Sequence, residues 1–505
     1  MQPGDYQDAH DSVMNTMHTR VARGAAWIIG GRIIVRSLGL INTLILARLL
    51  APADFGLVAI GVTIMQLLQN ISDIGVSKTV VRFRDAGRSQ YDTLFTINII
   101  RGVIISGLLV CLSFLAGSFY DDPRAMIVFL GLSPAPLFHS LVNPRYYEFE
   151  RQLNFTREFV VTGLEKVVGV AVSISVAVIY QTYWALILGL VAGVFTQMIA
   201  SYLMRAYAPR LSLAAIREIG GFTGWLTGQS FVAALNNKLD ILIFGKFASQ
   251  ADVGAFFVGS SLASMPSDEI ATPIARAIYP GFSELQHKKQ EMQEAYLRGV
   301  EALGLIATPA AFGSAFVAAD LVALLLGDQW DRVVPVIQYF TPAAGVMVIL
   351  SATNGYALAH GFARLLFIRD LIYFLVRTPI FIAAVIYYGL IGAVLAVSAD
   401  VLFLTALNAG LYKRISGGSI AELFWRVRRP FMGVAAMAFY FFLLRPQITF
   451  VEHQPLAFRL ALDIAMGAVT YASAVLLIWR AEGRPQGVEA MLMERLPNLG
   501  FARSR

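Results

Sequence analysis

The sequence predicts an all-α polytopic membrane protein with about fourteen transmembrane helices. Hydrophobic residues make up 57% of the 505 residues and charged residues only 14%, whereas charged residues account for about 25% of a soluble domain. Apolar segments of about 20 residues, long enough to cross a bilayer as helices, follow one another along nearly the whole chain. The connections between these segments are too short to hold a soluble domain.

The apolar segments set the order of the predicted helices. The longest connections between them lie near residues 144–159, 276–299 and 412–429. Residues 1–19 are polar and lack the apolar core of a signal peptide, so we expect a short N-terminal extension there. The fourteen segments lie at about residues 25–47, 55–76, 92–117, 125–143, 160–180, 184–204, 222–245, 253–275, 300–326, 333–358, 365–387, 390–411, 430–445 and 458–479.

Lysine and arginine residues are distributed unequally between the two sides of the predicted helices. We count 28 on the side of the N-terminus and 6 on the opposite side, alternating loop by loop. Because basic loops stay in the cytoplasm, this predicts that both termini are cytoplasmic, including a tail over residues 481–505. The net charge of +7 then reflects topology and does not indicate nucleic-acid binding.

A short turn sequence occurs twice in the chain. Ala47–Gly61 and Gly245–Gly259 are offset by 198 residues and share an Ala-Asp pair and two glycines at matching positions. Each copy joins one long apolar segment to the next. We expect Asp54 and Asp252 to cap the helix that follows, and a basic residue in each copy to lie at the negative end of the preceding helix dipole.

The two copies lie six predicted helices apart, so both turns face the same side of the membrane. The repeats therefore have the same orientation and are related by an axis along the membrane normal. Pseudo-symmetric lobes of this kind enclose a central cavity and rock against each other. We predict six-helix lobes at residues 20–210 and 211–415, followed by two extra C-terminal helices at residues 416–480.

Six basic residues fall inside the predicted helices. A charge at mid-bilayer costs about 3 kcal/mol, so such residues mostly face the interior of a helix bundle. Polar residues also recur at helical spacing on three of the helices, which favours a hydrophilic cavity. The alternative is that these residues only join helices to one another and bind no ligand. In that case Arg36 pairs with Asp73 or Asp400. The candidates for binding an anionic cargo are Arg32, Arg36, Arg101 and Arg377.

Acidic residues inside the membrane are candidates for coupling transport to a cation. The prediction comprises Asp73, Asp268, Glu269 and Asp400. Asp268 and Glu269 lie between two prolines, and prolines free backbone carbonyls that could join a carboxylate in binding a proton or Na⁺. The alternative for this pair is a structural role as a partner of Arg276 or Lys238.

No arrangement of residues indicates catalysis or metal binding. The six histidines are scattered without a pair at helical ligand spacing, and Cys111 is the single cysteine. The chain contains no CxxC, HExxH or GxxxxGK[ST] motif. We therefore expect no catalytic residue, no metal site and no cofactor.

Two sequence stretches carry a resemblance to a known family. Leu46–Leu57, which reads Leu-Ala-Arg-Leu-Leu-Ala-Pro-Ala-Asp-Phe-Gly-Leu, and the charged run Arg145–Arg157 before the fifth predicted helix are similar to segments of the polysaccharide transport family. That family includes the Wzx-like flippases of the multidrug/oligosaccharidyl-lipid/polysaccharide exporter superfamily. The chain has Leu-Ala-Pro at residues 50–52 where the family usually has Leu-Gly-Pro.

The resemblance implies a cargo and a location. A member of this family would flip polyprenyl-diphosphate-linked oligosaccharide across the bacterial inner membrane by alternating access, for exopolysaccharide, capsule or O-antigen assembly. Its partners would be the lipid-linked oligosaccharide, membrane lipids, and the polymerase and glycosyltransferases of the same pathway. The four candidate arginines would then bind the diphosphate, because a guanidinium pairs bidentately with phosphate oxygens.

Two other functions stay open at this point. A cation-coupled antiporter of the multidrug branch would share the two lobes, although that branch typically has twelve spans and an acidic N-lobe cavity. A membrane glycosyltransferase or polymerase would be expected to have a soluble domain or a large external loop with acidic residues. The predicted external loops of this chain are short.

Overall fold

The chain folds into helices that pack into two compact units. The computed structural model describes residues 30–31, 34–72, 87–151, 155–216, 235–236, 238–265, 282, 288–448, 453–485 and 487–490. Contacts between residues divide the chain into residues 1–246 and 247–505. Nine helices within the described ranges are long and apolar enough to cross a membrane. The predicted all-α polytopic class is confirmed, and the count of fourteen spans is consistent with these nine and stays a prediction.

The first unit contains long helices and one span divided into two short helices. Each of these helices coincides with an apolar stretch of the sequence. Each begins or ends at a glycine, a proline or a polar turn. The helices up to the boundary are α1 (residues 34–49), α2 (Pro52–Ile71), α3 (Arg88–Phe119), α4 (Arg124–Leu132), α5 (Pro134–Ser140), α6 (Phe155–Tyr180), α7 (Trp184–Met204) and α8 (residues 238–247).

The second unit is built around one long helix that packs against three others. This helix, α10, contacts α12, α15 and α16. The helices are α9 (residues 250–265), α10 (Lys289–Phe316), α11 (Ala318–Leu325), α12 (Val333–Ile349), α13 (Thr353–Ala359), α14 (Ala363–Ser416), α15 (Ile420–Phe439) and α16 (Leu456–Ala481). The core of this unit includes Tyr296, Tyr356 and Tyr412. The ring centroid of Tyr296 lies 4.9 Å from that of each of the other two.

Helix α14 contains a tight turn between two predicted spans. Gly389 adopts φ 56° and ψ −132° within an otherwise helical segment, a conformation that only glycine adopts without strain. The sequence predicts spans at residues 365–387 and 390–411, and the turn falls between them. Two antiparallel crossings are therefore joined with almost no loop.

The two repeated turns are built alike, although not quite as predicted. The N-cap of α2 is Ala51, and Asp54 stands three residues further on and accepts a hydrogen bond from the Ala51 N–H. In the second copy Ser249 donates to the Asp252 carboxylate at 2.6 Å, and the Asp252 N–H donates to the Ser249 hydroxyl at 3.2 Å. The aspartates were expected to cap these helices, but the N-cap residue of α2 is Ala51 and not Asp54. They reach back from the third helical position, as in a capping box.

Two helices extend further than the hydrophobic pattern predicts. Residues 276–299 and 412–429 were expected to be connections, but α10 already begins at Lys289 and α15 at Ile420. Their second turns lie side by side, where Arg426 Nη2 is 2.8 Å from Glu294 Oε2. Ion pairs between the two helices thus stabilise the parts of both helices that extend beyond the apolar core.

A pair of closely packed helices depends on glycine. A Cβ atom on Gly169 of α6 would lie 2.9 Å from the carbonyl oxygen of Gly189 in α7, and one on Gly193 would lie 3.0 Å from the carbonyl oxygen of Glu165. The two backbones can approach each other this closely because glycines lie at the contact.

Replacement of Gly169 by leucine is expected to destabilise the protein by about 1–3 kcal/mol, the range for overpacking. The thermal midpoint of the purified protein in detergent measures the change. Gly163→Leu is the matched control on the same helix, because a Cβ there would meet nothing within 4 Å. Equal midpoints for the two variants would contradict the close packing.

Candidate functional site

Four of the eight predicted site residues lie in the described parts of the chain. These are Arg36, Arg101, Arg377 and Asp400. The other four lie outside the described residues, so the structure does not test their predicted roles: Arg32, Asp73, Asp268 and Glu269.

Arg377 and Asp400 lie next to each other on the two arms of α14. Arg377 Nε is 3.4 Å from Asp400 Oδ2, and the side chains are only 7% and 5% exposed. The guanidinium also lies over the ring of Tyr373, 5.0 Å from its centroid. The Gly389 turn brings the two charges together by folding one arm back along the other. Asp400 thus has a structural partner in Arg377, whereas the structural alternative drawn from the sequence paired Asp400 with Arg36.

Arg36 and Arg101 both lie in the first unit. Arg36 is on α1 and Arg101 is on α3, and each side chain is half-buried. Asn98, one turn before Arg101, is buried at 7% exposure. In contrast, Ile104, Phe114 and Leu115 of the same helix are 55–66% exposed. Helix α3 therefore has an apolar face for lipid and a polar face within the bundle.

A buried carboxylate ties together the segment between α5 and α6 and the end of α7. Glu148 is 4% exposed, and its two oxygens lie 2.8 Å from Arg145 Nε and 2.5 Å from Arg205 Nη2. Burial alone would raise the pKa of Glu148. Hydrogen bonds from Arg145 and Tyr91 and the charges of both arginines outweigh burial and hold this pKa below its ordinary value of 4.5. The sequence predicted only a charged connection here.

We expect Glu148→Gln to lower stability by about 1–2 kcal/mol near neutral pH, because a charged acceptor is lost. A lowered folded-state pKa stabilises the protein above the unfolded-state pKa, and this contribution is lost as pH falls through the folded-state value. The wild-type midpoint should therefore drop more steeply below about pH 4.5 than that of Glu148→Gln. Thermal midpoints across this range measure the effect. Glu291→Gln, at a pair about 60% exposed, serves as the control, and parallel wild-type and Glu148→Gln profiles would contradict the assignment.

Among the described residues, the largest set of ion pairs lies in the N-terminal halves of α10 and α15, and the sequence did not predict it. Arg429 of α15 is 8% exposed, and its Nη1 atom lies 2.5 Å from Oε1 of Glu489 in the C-terminal segment. Glu301 of α10 is also buried, at 3% exposure. The spacing of Arg426 and Arg429 places both on one helix face, but nothing local to them identifies acidic partners far along the chain.

Two further ion pairs join α16 to Arg445, which follows α15, and to Asp320 of α11. Arg445 Nε is 2.9 Å from Asp463 Oδ1, and Arg459 forms a two-pronged contact with Asp320. A cavity of about 650 Å³ beside them is lined by aromatic residues, including Phe316 and Phe441. Arg445 and Arg459 are two of the six basic residues that the sequence places on the side opposite the N-terminus, and the sequence did not predict these partners.

The fold and the charged residues define a helical, multi-pass membrane protein with ion pairs inside its helix bundles. Comparison with known proteins then identifies the family. The chain belongs to the polysaccharide biosynthesis protein family, whose sequence model matches residues 45–335. The expected membership of the multidrug/oligosaccharidyl-lipid/polysaccharide exporter superfamily is thereby confirmed.

Similar proteins cover almost the whole chain. The succinoglycan biosynthesis transport protein ExoT of Rhizobium meliloti is 23% identical, over 96% of each chain. The lipopolysaccharide biosynthesis protein WzxC of Escherichia coli K12 is 22% identical, over 82% of this chain and 86% of the relative. Both similarities extend beyond the part that the family's sequence model matches.

Solved structures share the fold. The lipid II flippase MurJ, in an inward closed conformation, aligns with a TM-score of 0.73 at 13% identity, covering 90% of this chain and 99% of that one. An inward-facing multidrug resistance transporter of the MATE family aligns with a TM-score of 0.58, also at 13% identity, covering 75% and 94%. At such low identity the likeness concerns the fold alone.

Proposed function

We propose that this chain is a flippase that moves polyprenyl-diphosphate-linked oligosaccharide across the bacterial inner membrane by alternating access. The observation that carries the proposal is the match to the polysaccharide biosynthesis protein family, together with full-length similarity to a succinoglycan biosynthesis transport protein. The fold is shared with a lipid II flippase. In this proposal the protein is a transporter and not an enzyme.

The diphosphate would be bound by arginines inside the bundle. Arg36 and Arg101 lie half-buried in the first unit, where a guanidinium can exchange its internal contacts for phosphate oxygens. Arg32 precedes Arg36 by one helical turn in the sequence, so the two can act together. Arg377 differs because Asp400 already balances its charge, so its part in the site requires that this pair opens.

Coupling to a cation and the partners in the pathway are finer proposals. We retain Asp268, Glu269 and Asp73 as candidate groups for binding a proton or Na⁺. Asp400 would take part only by leaving Arg377. The lipid-linked substrate must be made before transport and its glycan used afterwards, so glycosyltransferases and a polymerase of the same pathway are the expected partners.

Transport by the purified protein tests the function. The protein is reconstituted into proteoliposomes with a lipid-diphosphate-linked oligosaccharide, and a membrane-impermeant glycosidase then reports how much glycan reaches the outer leaflet. Protein-dependent access of the enzyme to nearly all of the glycan is expected, against about half in protein-free vesicles. Movement of a cationic dye without movement of the lipid would favour the multidrug alternative and overturn the proposal.

The topology is a further prediction, supported by the 28-to-6 distribution of basic residues. With both termini in the cytoplasm, the turns at Pro52 and Gln250 face the periplasm. Single cysteines at these positions, in a Cys111→Ala background, should react with a membrane-impermeant maleimide in intact cells. A cysteine at Lys289 should react only after the membrane is opened. The reverse pattern would overturn the assigned orientation.

A further inference from the structure

Two buried carboxylates and one buried arginine meet where the C-terminal segment packs against α10 and α15. We define this segment as the described residues 482–485 and 487–490. Arg429 Nη1 lies 2.5 Å from Glu489 Oε1 and 3.8 Å from Glu301 Oε1. The exposed fractions of Arg429, Glu301 and Glu489 are only 8%, 3% and 4%. Like charges buried this closely repel one another unless something compensates them.

The other charged groups around this site are already engaged. On α10, Glu294 binds Arg298 and Arg426, at 3.3 Å and 2.8 Å. On α15 and the C-terminal segment, Arg428 binds Glu482 at 2.8 Å, and Arg429 Nε is 2.9 Å from the other oxygen of Glu482. From α16, Tyr471 faces the site, and its hydroxyl donates to the carbonyl of Leu305 at 2.9 Å.

Glu301 is the carboxylate without a close cation. Its two arginine neighbours, Arg426 and Arg429, lie 3.7 Å and 3.8 Å away, beyond hydrogen-bond distance. Oε2 of Glu301 and Oε2 of Glu489 are both buried and accept no hydrogen bond from the described residues. Both carboxylates also reach Gly487, where a Cβ atom would lie 2.7 Å from Glu301 Oε1 and 3.1 Å from Glu489 Oε2.

We propose that Glu301 and Glu489 bind one proton between them, and that this proton holds the C-terminal segment against α10 and α15. A proton on Glu301 removes one of the two buried negative charges and supplies a hydrogen-bond donor where the nearest oxygens lack one. A metal cation fits less well, because the guanidinium of Arg429 occupies the centre of the site. The site lies apart from the arginines proposed for the diphosphate, and the inference does not depend on the cargo.

The proton links pH to the packing of the segment. When it is lost, two buried carboxylates face a single close arginine, and the segment can lower its energy by exposing Glu489 to water. The segment is therefore held below the pH at which the pair ionises and loosens above it. Because one proton is lost, the equilibrium constant between the packed and the loosened segment can change by at most tenfold per pH unit.

Infrared difference spectra of the purified full-length protein detect the proton directly. Acidification from about pH 9 to about pH 6 should produce the C=O stretch of a neutral carboxylic acid in the wild-type protein. We expect this band to be absent from Glu301→Gln. It should persist in the control variant Glu294→Gln, which lies on the same helix. Identical difference spectra for the wild-type protein and Glu301→Gln would overturn the proposal.

Cysteine labelling tests the packing of the segment. In a Cys111→Ala background, a cysteine at Ala490 should react faster with a maleimide as pH rises, by up to roughly tenfold per pH unit, after normalisation to a cysteine at the exposed Lys289. Adding Glu301→Gln should remove this dependence. Gly487→Ala keeps both carboxyl groups, but its added methyl group would collide with them. The cysteine at position 490 should therefore react quickly at every pH in this variant. A normalised rate that does not change with pH would contradict the inference.

Discussion

Arg36→Lys is expected to reduce surface polysaccharide at least about tenfold in a strain that lacks its own flippase, while the protein inserts normally. A lysine keeps the charge but loses the planar fork that binds two phosphate oxygens at once. A weakening of roughly 1.4 kcal/mol already corresponds to a tenfold effect. Surface polysaccharide and the amount of protein in the membrane are measured together, so that export is compared at equal protein levels.

Arg48→Lys is the matched control for this experiment. Arg48 lies on the same helix, α1, but near the turn, and its side chain is exposed. It should support normal export. Full export by the double variant Arg32→Ala/Arg36→Ala at normal protein levels would rule out the proposed diphosphate site. Loss of the protein itself from the membrane would instead indicate a structural role for these arginines.

Asp400→Asn is expected to destabilise the protein by about 3–5 kcal/mol, because it removes a carboxylate from beside the buried charge of Arg377. Both side chains are almost completely buried, so water cannot easily replace the lost carboxylate. The thermal midpoint in detergent and the yield of monodisperse protein measure the effect. Asp370→Asn, whose carboxylate pairs with Arg369 and is 40% exposed, should cost less than about 1 kcal/mol. Equal losses for the two variants would contradict this prediction.

A double variant separates stability from transport at this pair. Arg377→Met/Asp400→Asn removes both charges and should regain most of the stability, because apolar and neutral groups of similar size can replace a buried ion pair. If the stable double variant still exports polysaccharide, Arg377 does not bind cargo. If it is stable but inactive, the sequence-based prediction for Arg377 gains its first experimental support.

Sequence patterns predicted the features that depend on local chemistry. Where the structure describes them, the apolar segments that predict the spans form helices, and the predicted span at residues 184–204 coincides with α7, Trp184–Met204. The turn between two further spans falls at Gly389, where a positive φ is needed. The charged N-terminal turns of α10 and α15 were not predicted. A hydrophobic pattern ends where the membrane ends, so it carries no information about a helix that continues beyond the membrane.

By itself, the sequence determined the class of this protein, its family and the positions of most of its membrane helices. Length and apolarity are properties of single segments, and a bilayer imposes them on each segment separately. The tertiary structure alone decided which charges are paired: Arg377 with Asp400, and Arg429 with Glu489, 60 positions further along the chain. A buried charge needs a partner within a few ångströms, and only the packing of helices decides which distant residue comes that close.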